Sequence, residues 1–533
     1  MQKTKYALIS VYDKTGIAEL AAHLEMAGYT VIATGNTHKF LKSAGITKLK
    51  KIDEVTGFPE ILDGRVKTLH PAIFGGILSV RGNESHVKDL AKNLIKPIDF
   101  VIVNLYPFKE MKDKNITFEE KLEFIDIGGV SLLRAAAKNF KDVTVVINPS
   151  YYNDIISFLK NKKKIPLEAK KTYACETFKL TSEYDLHIAA FLGGGTPADS
   201  LETAEKELNI NFKKIFNLRY GENPHQKASF YCSAGAGYCA ESAPFEKLSG
   251  KDISFNNLLD IDSTLNIIKD FWTGNNGKER GGFFSAIVKH TNPCGAAQSD
   301  LSLEDAFMRA RKADEISSYG GIVGFNKTLD KETASAIKPF FVEIIIAPEY
   351  TREALKILGA KKNTIIIRYS GKYVSEKKGL SLRSASGGIL VQEKDYSIDD
   401  ASTFKIFSNK KIPDSVLSDL MFAWKIAKHV KSNAIVYVKG GATAGIGAGQ
   451  MSRIDSAVFG YEKMKNALGK DIKEFVMASD GFFPFKDSVE YASKIGVNGI
   501  IQPGGSIRDD EVIKAANDLN IPMILTNIRH FKH

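Results

Sequence analysis

A lysine and a histidine stand side by side in Val288-Lys289-His290-Thr291-Asn292-Pro293-Cys294-Gly295, directly after the apolar run Gly282-Phe283-Phe284-Ser285-Ala286-Ile287. The run reads as a buried strand, and Pro293 and Gly295 are expected to turn the chain sharply behind it. A cation and an imidazole at the end of such a strand can stabilise charge and take a proton on one bound molecule. Neighbouring side chains on a strand point to opposite faces, so both reach one ligand only where the strand ends and twists. The plainer alternative is a strand end whose charges simply reach water. The same residues also approach a zinc pattern, H-x-E followed by P-C-x-x-C. Asn292 stands where that pattern needs its acid and Ala297 where it needs its second Cys, so no zinc is expected.

A second set of reactive types lies in the first half. Ser10 closes one apolar strand and Lys14 lies in the turn behind it, while Thr34, Gly35 and Thr37 follow another strand and open a helix. Hydroxyls, backbone N–H groups and helix N-termini are what a phosphate needs, although Thr, Gly and Asn are also ordinary helix-start residues. Arg65, Lys67, Thr68 and His70 crowd a loop that Pro71 ends. Asn104 and Tyr106 follow a third strand, and Asp126 precedes Gly128 and Gly129 at the start of a helix reaching Lys138. Glycines there permit close approach to a ligand.

Further candidates lie in the second half. Arg219 and Tyr220 sit in a turn-rich loop, Gly320 follows a helix, and Glu343 enters a buried strand. Asn433 leads a strand, and Arg453 follows Gly445-Ile446-Gly447-Ala448-Gly449-Gln450. That glycine series reads as a hairpin rather than a dinucleotide loop, which should join a strand to a helix. Phe483 belongs to the aromatic loop Ser479–Phe485, either a core plug or a wall for a flat ring. Arg529 and Phe531 belong to a basic-aromatic terminus that reads as a solvated tail, although it directly follows a strand.

The elements that must hold these residues are legible in outline. Strands at Tyr6–Ser10, Tyr29–Ala33, Ile98–Val103 and Asp142–Asn148 alternate with helices at Ile17–Ala27, closed by Gly28, and Val130–Lys138. Such alternation argues for a parallel α/β sheet with its ligands beyond the carboxyl ends of the strands. A helical pattern over Leu167–Leu192 is followed by a polar stretch, Thr196–Asn211, where the domain boundary is placed, giving domains 1–199 and 200–533. Ser432-Asn433-Ala434-Ile435-Val436 parallels Ser285-Ala286-Ile287-Val288 ahead of a glycine-containing turn, a hint of two related α/β units in the second half.

At 533 residues the chain exceeds what one hydrophobic core supports. Lys and Arg number 73 against 62 Asp and Glu, a net charge of +11 that suits anionic partners. The basic residues are spread out and form no recognised nucleic-acid-binding motif, so phosphorylated metabolites fit better than nucleic acid. No apolar run is long enough to span a bilayer, and Met1–Lys5 enters a strand without a signal-peptide pattern. The four cysteines have neither disulfide-framework density nor metal spacing. A cytoplasmic protein without membrane partners is expected.

Taken together, Ser10–Gly16, Arg65–Pro71, Asn104–Phe108, Ile125–Gly129, Leu218–Gln226, Lys289–Gly295, Gly445–Arg453 and the Arg529 terminus closely resemble the bifunctional purine-biosynthesis family. That family joins phosphoribosylaminoimidazolecarboxamide (AICAR) formyltransferase to IMP cyclohydrolase. The likeness spans nearly the full length, in order. It implies an N-terminal methylglyoxal-synthase-like domain that performs the cyclohydrolase step. It also implies two C-terminal cytidine-deaminase-like units that transfer a formyl group from 10-formyltetrahydrofolate without zinc. The resemblance further implies a homodimer with formyltransferase sites across the interface, and the sequence leaves open whether a monovalent cation sits in the second half. Glu343 stands where some members carry Asp, and His530 and Lys532 vary the terminal motif.

The resemblance also implies roles. His290 is the expected base for formyl transfer, being the group of the motif with a reference pKa near neutrality, and Lys289 the expected stabiliser of the oxyanion or leaving nitrogen. Asn433 and Glu343 are expected to align carboxamide and amine, and Arg219 and Arg529 to bind the ribose phosphate. The Phe482-Phe483 loop and the glycines after Tyr319 are expected to lie against the pterin. Tyr220, Arg453 and Phe531 complete the expected contacts. Lys67, Tyr106, Asp126 and Lys138 are the expected proton-handling groups of cyclisation. Ser10, Lys14, Thr34, Gly35 and Thr37 are the expected phosphate cradle, with Arg65, Thr68, Asn104 and Gly128 close by.

Overall fold

The computed structural model describes residues 5–108, 114–193, 212–233, 245–272, 282–375, 379–396, 401–409 and 411–533. The chain divides into two compact units, Met1–Thr196 and Pro197–His533. The stretch 196–211, where the sequence suggests a boundary, lies outside the described residues.

In the first unit, β1 (Lys5–Val11), β2 (Tyr29–Ala33), β3 (Leu49–Lys51), β4 (Ile98–Asn104) and β5 (Thr144–Val146) form a wholly parallel sheet in the order β3-β2-β1-β4-β5. Strands covered on both faces read as continuous apolar runs. Leu8, Val101 and Val103 fill one core, while Ala7, Ile9 and Ile102 fill the other. The connecting helices include α1 (Ile17–Met26), α2 (Gly35–Ser43), α3 (Pro71–Leu78) and α4 (Gly128–Lys138), with α5 (Leu167–Leu192) after the last strand. Gly28, at φ 88°, ends α1 in the left-handed region as expected. The strand order reverses between β1 and β4, which opens a crevice at their carboxyl ends.

The second unit is built on a twelve-stranded mixed sheet. Its first half comprises β8 (Phe245–Ser249), β9 (Phe283–Lys289), β10 (Asn292–Ser299), β11 (Ile322–Phe325), β12 (Ile344–Ala347) and β13 (Ile365–Tyr369), following a separate hairpin of β6 (Phe212–Asn217) and β7 (Ser229–Ser233). A second separate hairpin pairs β14 (Leu380–Ala385) with β15 (Gly388–Glu393). The other half comprises β16 (Lys405–Phe407), β17 (Ile435–Lys439), β18 (Ala442–Gly447), β19 (Phe475–Ser479), β20 (Val497–Gln502) and β21 (Met523–Leu525). Helices α6 (Phe255–Asp270) and α7 (Leu303–Lys312) flank the β9–β10 hairpin in the chain. Helices α8 (Asp414–Ala427) and α9 (Arg453–Leu468) flank β17–β18 in the same way.

The sheet order β16-β21-β20-β19-β17-β18-β10-β9-β11-β12-β13-β8 is palindromic in kind about the β18/β10 contact. Outward from that contact each half runs hairpin, antiparallel neighbour, two parallel strands and an antiparallel edge. The repeat hinted at by Ser285–Val288 and Ser432–Val436 is therefore a repeat of the whole topology.

Two local expectations need correction. Pro293 and Gly295 do not turn the chain, because both lie within β10. The turn is His290-Thr291, closed by the Lys289–Asn292 pair, with φ of 53° and 63°. Gly295 instead permits strand–helix packing, since a methyl there would overlap Ala310 O of α7. Gly445 and Gly447 do the same against Gly460 O and Ser456 O of α9. The chain terminus is not a solvated tail: His530 is buried, with Nδ1 2.6 Å from Asp395 Oδ2 and its ring 4.9 Å from that of Trp424.

Candidate active sites

At the β1/β4 crevice, Ser10 Oγ lies 2.9 Å from Thr34 Oγ1, which stands at the N-cap of α2 without bonding its backbone. Lys14 Nζ folds back onto Val11 O (3.0 Å) and Tyr12 O (3.2 Å). Two hydroxyls, one ammonium and the free N–H groups of α2 at Gly35 thus form an anion cradle. Thr37 and Asn104 are engaged with the protein itself. Thr37 Oγ1 donates to Val11 O (3.1 Å) and accepts from Val11 N (3.2 Å). Asn104 Oδ1 accepts from Tyr12 N (2.5 Å) and Asp13 N (3.0 Å), and its Nδ2 donates to Asp13 O (2.9 Å). Both hold loops across the crevice.

An aromatic wall joins the cradle to the next group. The Tyr106 ring lies 5.4 Å from that of Tyr12 and 6.3 Å from that of Phe124. Asp126 follows, with Oδ1 accepting from Gly129 N at 2.6 Å. Burial pushes its carboxyl up, against the opposing pull of the Gly129 N–H and the Lys67 cation. Lys67 Nζ lies 3.3 Å from Glu60 Oε1, and Arg65 pairs with Glu123. Thr68 Oγ1 fills the space a Cβ on Gly128 would need, so Gly128 brings the α4 start against the basic loop.

Lys138 does not join them. Helix α4 connects two parallel strands and so runs antiparallel to them, which puts its start at the carboxyl edge and Lys138 at the amino edge. Its eleven residues separate the two by about 15 Å. Lys138 instead lines a groove with Phe74, Arg134, Lys171 and Phe178.

In the second unit the His290-Thr291 turn is the focus. Lys289 Nζ donates to Tyr319 O at 2.8 Å, and Tyr319 leads to Gly320, whose φ of 71° packs it against the Phe341 ring. Glu343 pairs with Lys251 at 2.5 Å. Arg219 stacks on Tyr220, with its carbon 4.6 Å from the ring centre, in the loop leading to α6. From the second half, Lys431 N donates to Asn292 Oδ1 (2.9 Å) and Lys532 Nζ to Thr291 O (3.4 Å). Burial lowers the Lys532 ammonium.

Asn433 and Arg453 meet beside this turn, engaged with one another. Arg453 Nη2 donates to Asn433 Oδ1 (2.8 Å) and Nη1 to Asp480 Oδ1 (2.5 Å) and Ser479 Oγ (2.8 Å). Asn433 Nδ2 donates to Gln450 O and Met451 O. Phe483 is fully buried among Tyr437, Phe475 and Val489, so it is a core plug and not a ligand wall. Phe531 is partly exposed, with the Arg529 carbon 4.3 Å from its ring centre.

Sequence reasoning passed over Asp260, whose Oδ1 accepts from Thr291 N at 2.6 Å. Its signal was an acid on α6 between the buried Asn257 and Ile261. Burial pushes the Cys294 thiol up to about 12. Among the described residues no three His, Cys, Asp or Glu gather as metal ligands, and no helix is long and apolar enough to cross a membrane.

Similarity to known proteins agrees with this geometry. The AICARFT/IMPCHase bienzyme profile matches residues 136–463, more than half of the chain, and the MGS-like domain profile matches residues 16–131. The "Bifunctional purine biosynthesis protein PurH" of Clostridium botulinum (strain Hall) is 44% identical over 530 residues, covering 99% of this chain and 100% of the relative. The protein of the same name from Persephonella marina is 43% identical over 527 residues, covering 99% of each. A parallel-sheet unit with an anion cradle, and a duplicated unit with a Lys-His turn, thus fit one bifunctional purine enzyme: the chain belongs to the AICARFT/IMPCHase bienzyme family.

Proposed function

We propose that the two reactions of the family are divided between the two units, cyclisation at the β1/β4 crevice and formyl transfer at the His290 turn. The chain is a bifunctional enzyme of purine biosynthesis, an AICAR formyltransferase and IMP cyclohydrolase. The observation that carries the placement of formyl transfer is the convergence of Lys289, His290 and Asn292 with the Lys431–Asn433 segment at one edge of two adjacent hairpins.

In formyl transfer the AICAR amine attacks the formyl carbon of 10-formyltetrahydrofolate. The amine is a weak nucleophile, because its electron pair is delocalised into the imidazole ring. His290, neutral, takes the amine proton as the new C–N bond forms. Lys289 faces the tetrahedral oxyanion, its ammonium already held in line by Tyr319 O. Collapse breaks the bond to folate N10, which leaves with a proton, giving formyl-AICAR and tetrahydrofolate. Arg219 and Arg529 supply charge for the ribose phosphate, while Glu343 and Asn433 line the ring's approach. Arg453 acts behind Asn433, fixing its amide.

In cyclisation the carboxamide nitrogen attacks the new formyl carbon and water leaves, giving IMP. Positioning dominates such an intramolecular step. Ser10, Lys14, Thr34 and the α2 start hold the phosphate. Tyr106 supports the ring, Lys67 polarises the formyl oxygen, and Asp126, its carboxyl raised by burial, exchanges the proton.

A homodimer in the cytoplasm completes the proposal. The β14–β15 hairpin supports self-association, since a lone two-stranded hairpin is marginal in water and this one exposes Leu382, Ile389 and Leu390. The test supplies the purified protein with AICAR and 10-formyltetrahydrofolate and follows IMP. His290→Ala should lower formyl transfer by roughly 10²–10⁴ yet cyclise added formyl-AICAR normally, and Asp126→Ala should do the reverse. Parent-like formyl transfer in His290→Ala, or its loss in a folded Asp126→Ala protein, refutes the division.

A further inference from the structure

The duplicated topology allows the catalytic hairpin to be compared with its own copy. In the first half, the Lys289–Asn292 pair closes a two-residue turn, His290-Thr291. In the second half, Lys439 and Ala442 close Gly440-Gly441. All four turn residues have positive φ: 53° and 63° in the first turn, 58° and 74° in the second. That is the signature of a type I′ hairpin turn, for which glycine is the natural occupant. Glycine takes this conformation freely, whereas a residue with a Cβ resists it.

The preceding helices are also matched. Asp419 is the sixth residue of α8 and Asp260 the sixth residue of α6. Asp419 accepts from Gly440 N and Gly441 N, each at 2.6 Å. Asp260 Oδ1 accepts from Thr291 N at 2.6 Å, and the His290 N–H faces the same carboxylate. One clamp therefore serves both hairpins, but only the first turn carries side chains that strain it, and one of them is the imidazole.

We propose that Asp260 is a positioning residue for formyl transfer, whose carboxylate holds the His290-Thr291 backbone left-handed and thereby aims the His290 imidazole. The proposal rests on His290 being the base. The clamp at Asp419 is its internal control, because it holds a turn with no side chain to aim. That turn lies at the other end of the hairpins, where Gln298 N donates to Gly441 O. Thr291 O meanwhile accepts from Lys532, so the catalytic turn is gripped on both its N–H and C=O sides.

The experiment compares Asp260→Ala, Asp260→Asn, Asp419→Ala, Asp419→Asn and His290→Ala in the full chain, measuring kcat and KM for AICAR in formyl transfer and the rate of cyclisation. Misaiming a reactive group by about 1 Å costs roughly 10²-fold. Asp260→Ala is therefore expected to lose about ten- to a hundredfold in kcat, with KM for AICAR within about threefold of the parent. Asp260→Asn, which keeps an acceptor oxygen, should recover part of that loss. Both Asp419 variants should keep parent kcat. Cyclisation should be unchanged throughout. If Asp260→Ala does not fold, the two Asn variants decide: a kcat loss confined to Asp260→Asn supports the proposal. Equal kcat losses at Asp260 and Asp419 overturn it, as does parent-like kcat in the Asp260 variants while His290→Ala is inactive. An active His290→Ala protein overturns the reading of His290 itself, and this proposal with it.

Discussion

Removing Asp480 should unseat the second half of the proposed formyltransferase site through a buried charge. Asp480 is fully buried and Arg453 nearly so, with Nη1 and Oδ1 2.5 Å apart. Asp480 Oδ2 also lies 2.5 Å from Ser432 Oγ, and Ser432 is bonded to Lys532 of the chain terminus. Asp480→Ala leaves the guanidinium without its counter-charge, which typically costs about 3–5 kcal/mol. The slope of urea unfolding is about 3 kcal/mol per molar for a unit of this size, so the midpoint should fall by about 1–2 M. The assay is selective, since both tryptophans, Trp272 and Trp424, belong to the second unit and their emission follows it alone. A double variant, Arg453→Met with Asp480→Leu, removes both charges and should regain much of the loss. A midpoint for Asp480→Ala within about 0.3 M of the parent, about 1 kcal/mol at that slope, refutes the reasoning.

Other tests address packing, autonomy and pH. Gly447→Ala drives a methyl into Ser456 O and should destabilise the second unit by about 1–3 kcal/mol, whereas Gly388→Ala meets open space; equal urea midpoints for the two contradict the close approach. A fragment ending at Thr196 should fold and cyclise formyl-AICAR unaided, and a soluble, folded but inactive fragment breaks the proposed division. Burial holds the His429 imidazole below its ordinary value, despite Asp270 Oδ2 at 2.8 Å. Burial alone would raise Asp270, but the His429 hydrogen bond and the nearby Lys428 hold it well below the usual carboxylate range. Below pH ~6.5 the unfolded chain therefore takes up a proton at His429 that the folded chain refuses, so stability should fall with pH from that point. His429→Gln should flatten the urea midpoint between pH 7 and 5; an unchanged slope removes His429 as the cause.

The parts legible in the sequence were those governed by local rules. Buried parallel strands read as apolar runs, and Tyr29–Ala33 and Leu167–Leu192 have the expected bounds. What escaped was set by distant partners. Pro293 and Gly295 are strong turn formers, yet neither makes the turn, because the Asp260 carboxylate stabilises left-handed backbone at a histidine and a threonine. Lys138 is expected beside Asp126 by its place in a motif, but the direction of α4 carries it to the opposite edge of the sheet. Phe483 follows a strand within an aromatic loop, and only the packing of Tyr437 and Phe475 decides that it fills core.

The duplicated sheet sets two like halves into one asymmetric arrangement of side chains. Antiparallel pairing of β10 with β18 at Ala297–Ala442 sets the two hairpins head to tail. The His290 turn therefore lies beside the open end of β17–β18, and the Gly440 turn beside the far end of β10. Each edge of the contact then holds one turn and one open end, which are chemically different. At the first edge the turn supplies Lys289 and His290, while the open end supplies the Asn433–Arg453–Asp480 network and the docked terminus. At the other edge the turn is Gly-Gly and offers only backbone, its carbonyl taken by Arg309. Pairing between the repeats thus brings the Lys289-His290 turn beside the Asn433–Arg453–Asp480 network at one edge only. Only that turn carries side chains, at positions 290 and 291, and the aspartate that contacts it has a counterpart in the other repeat.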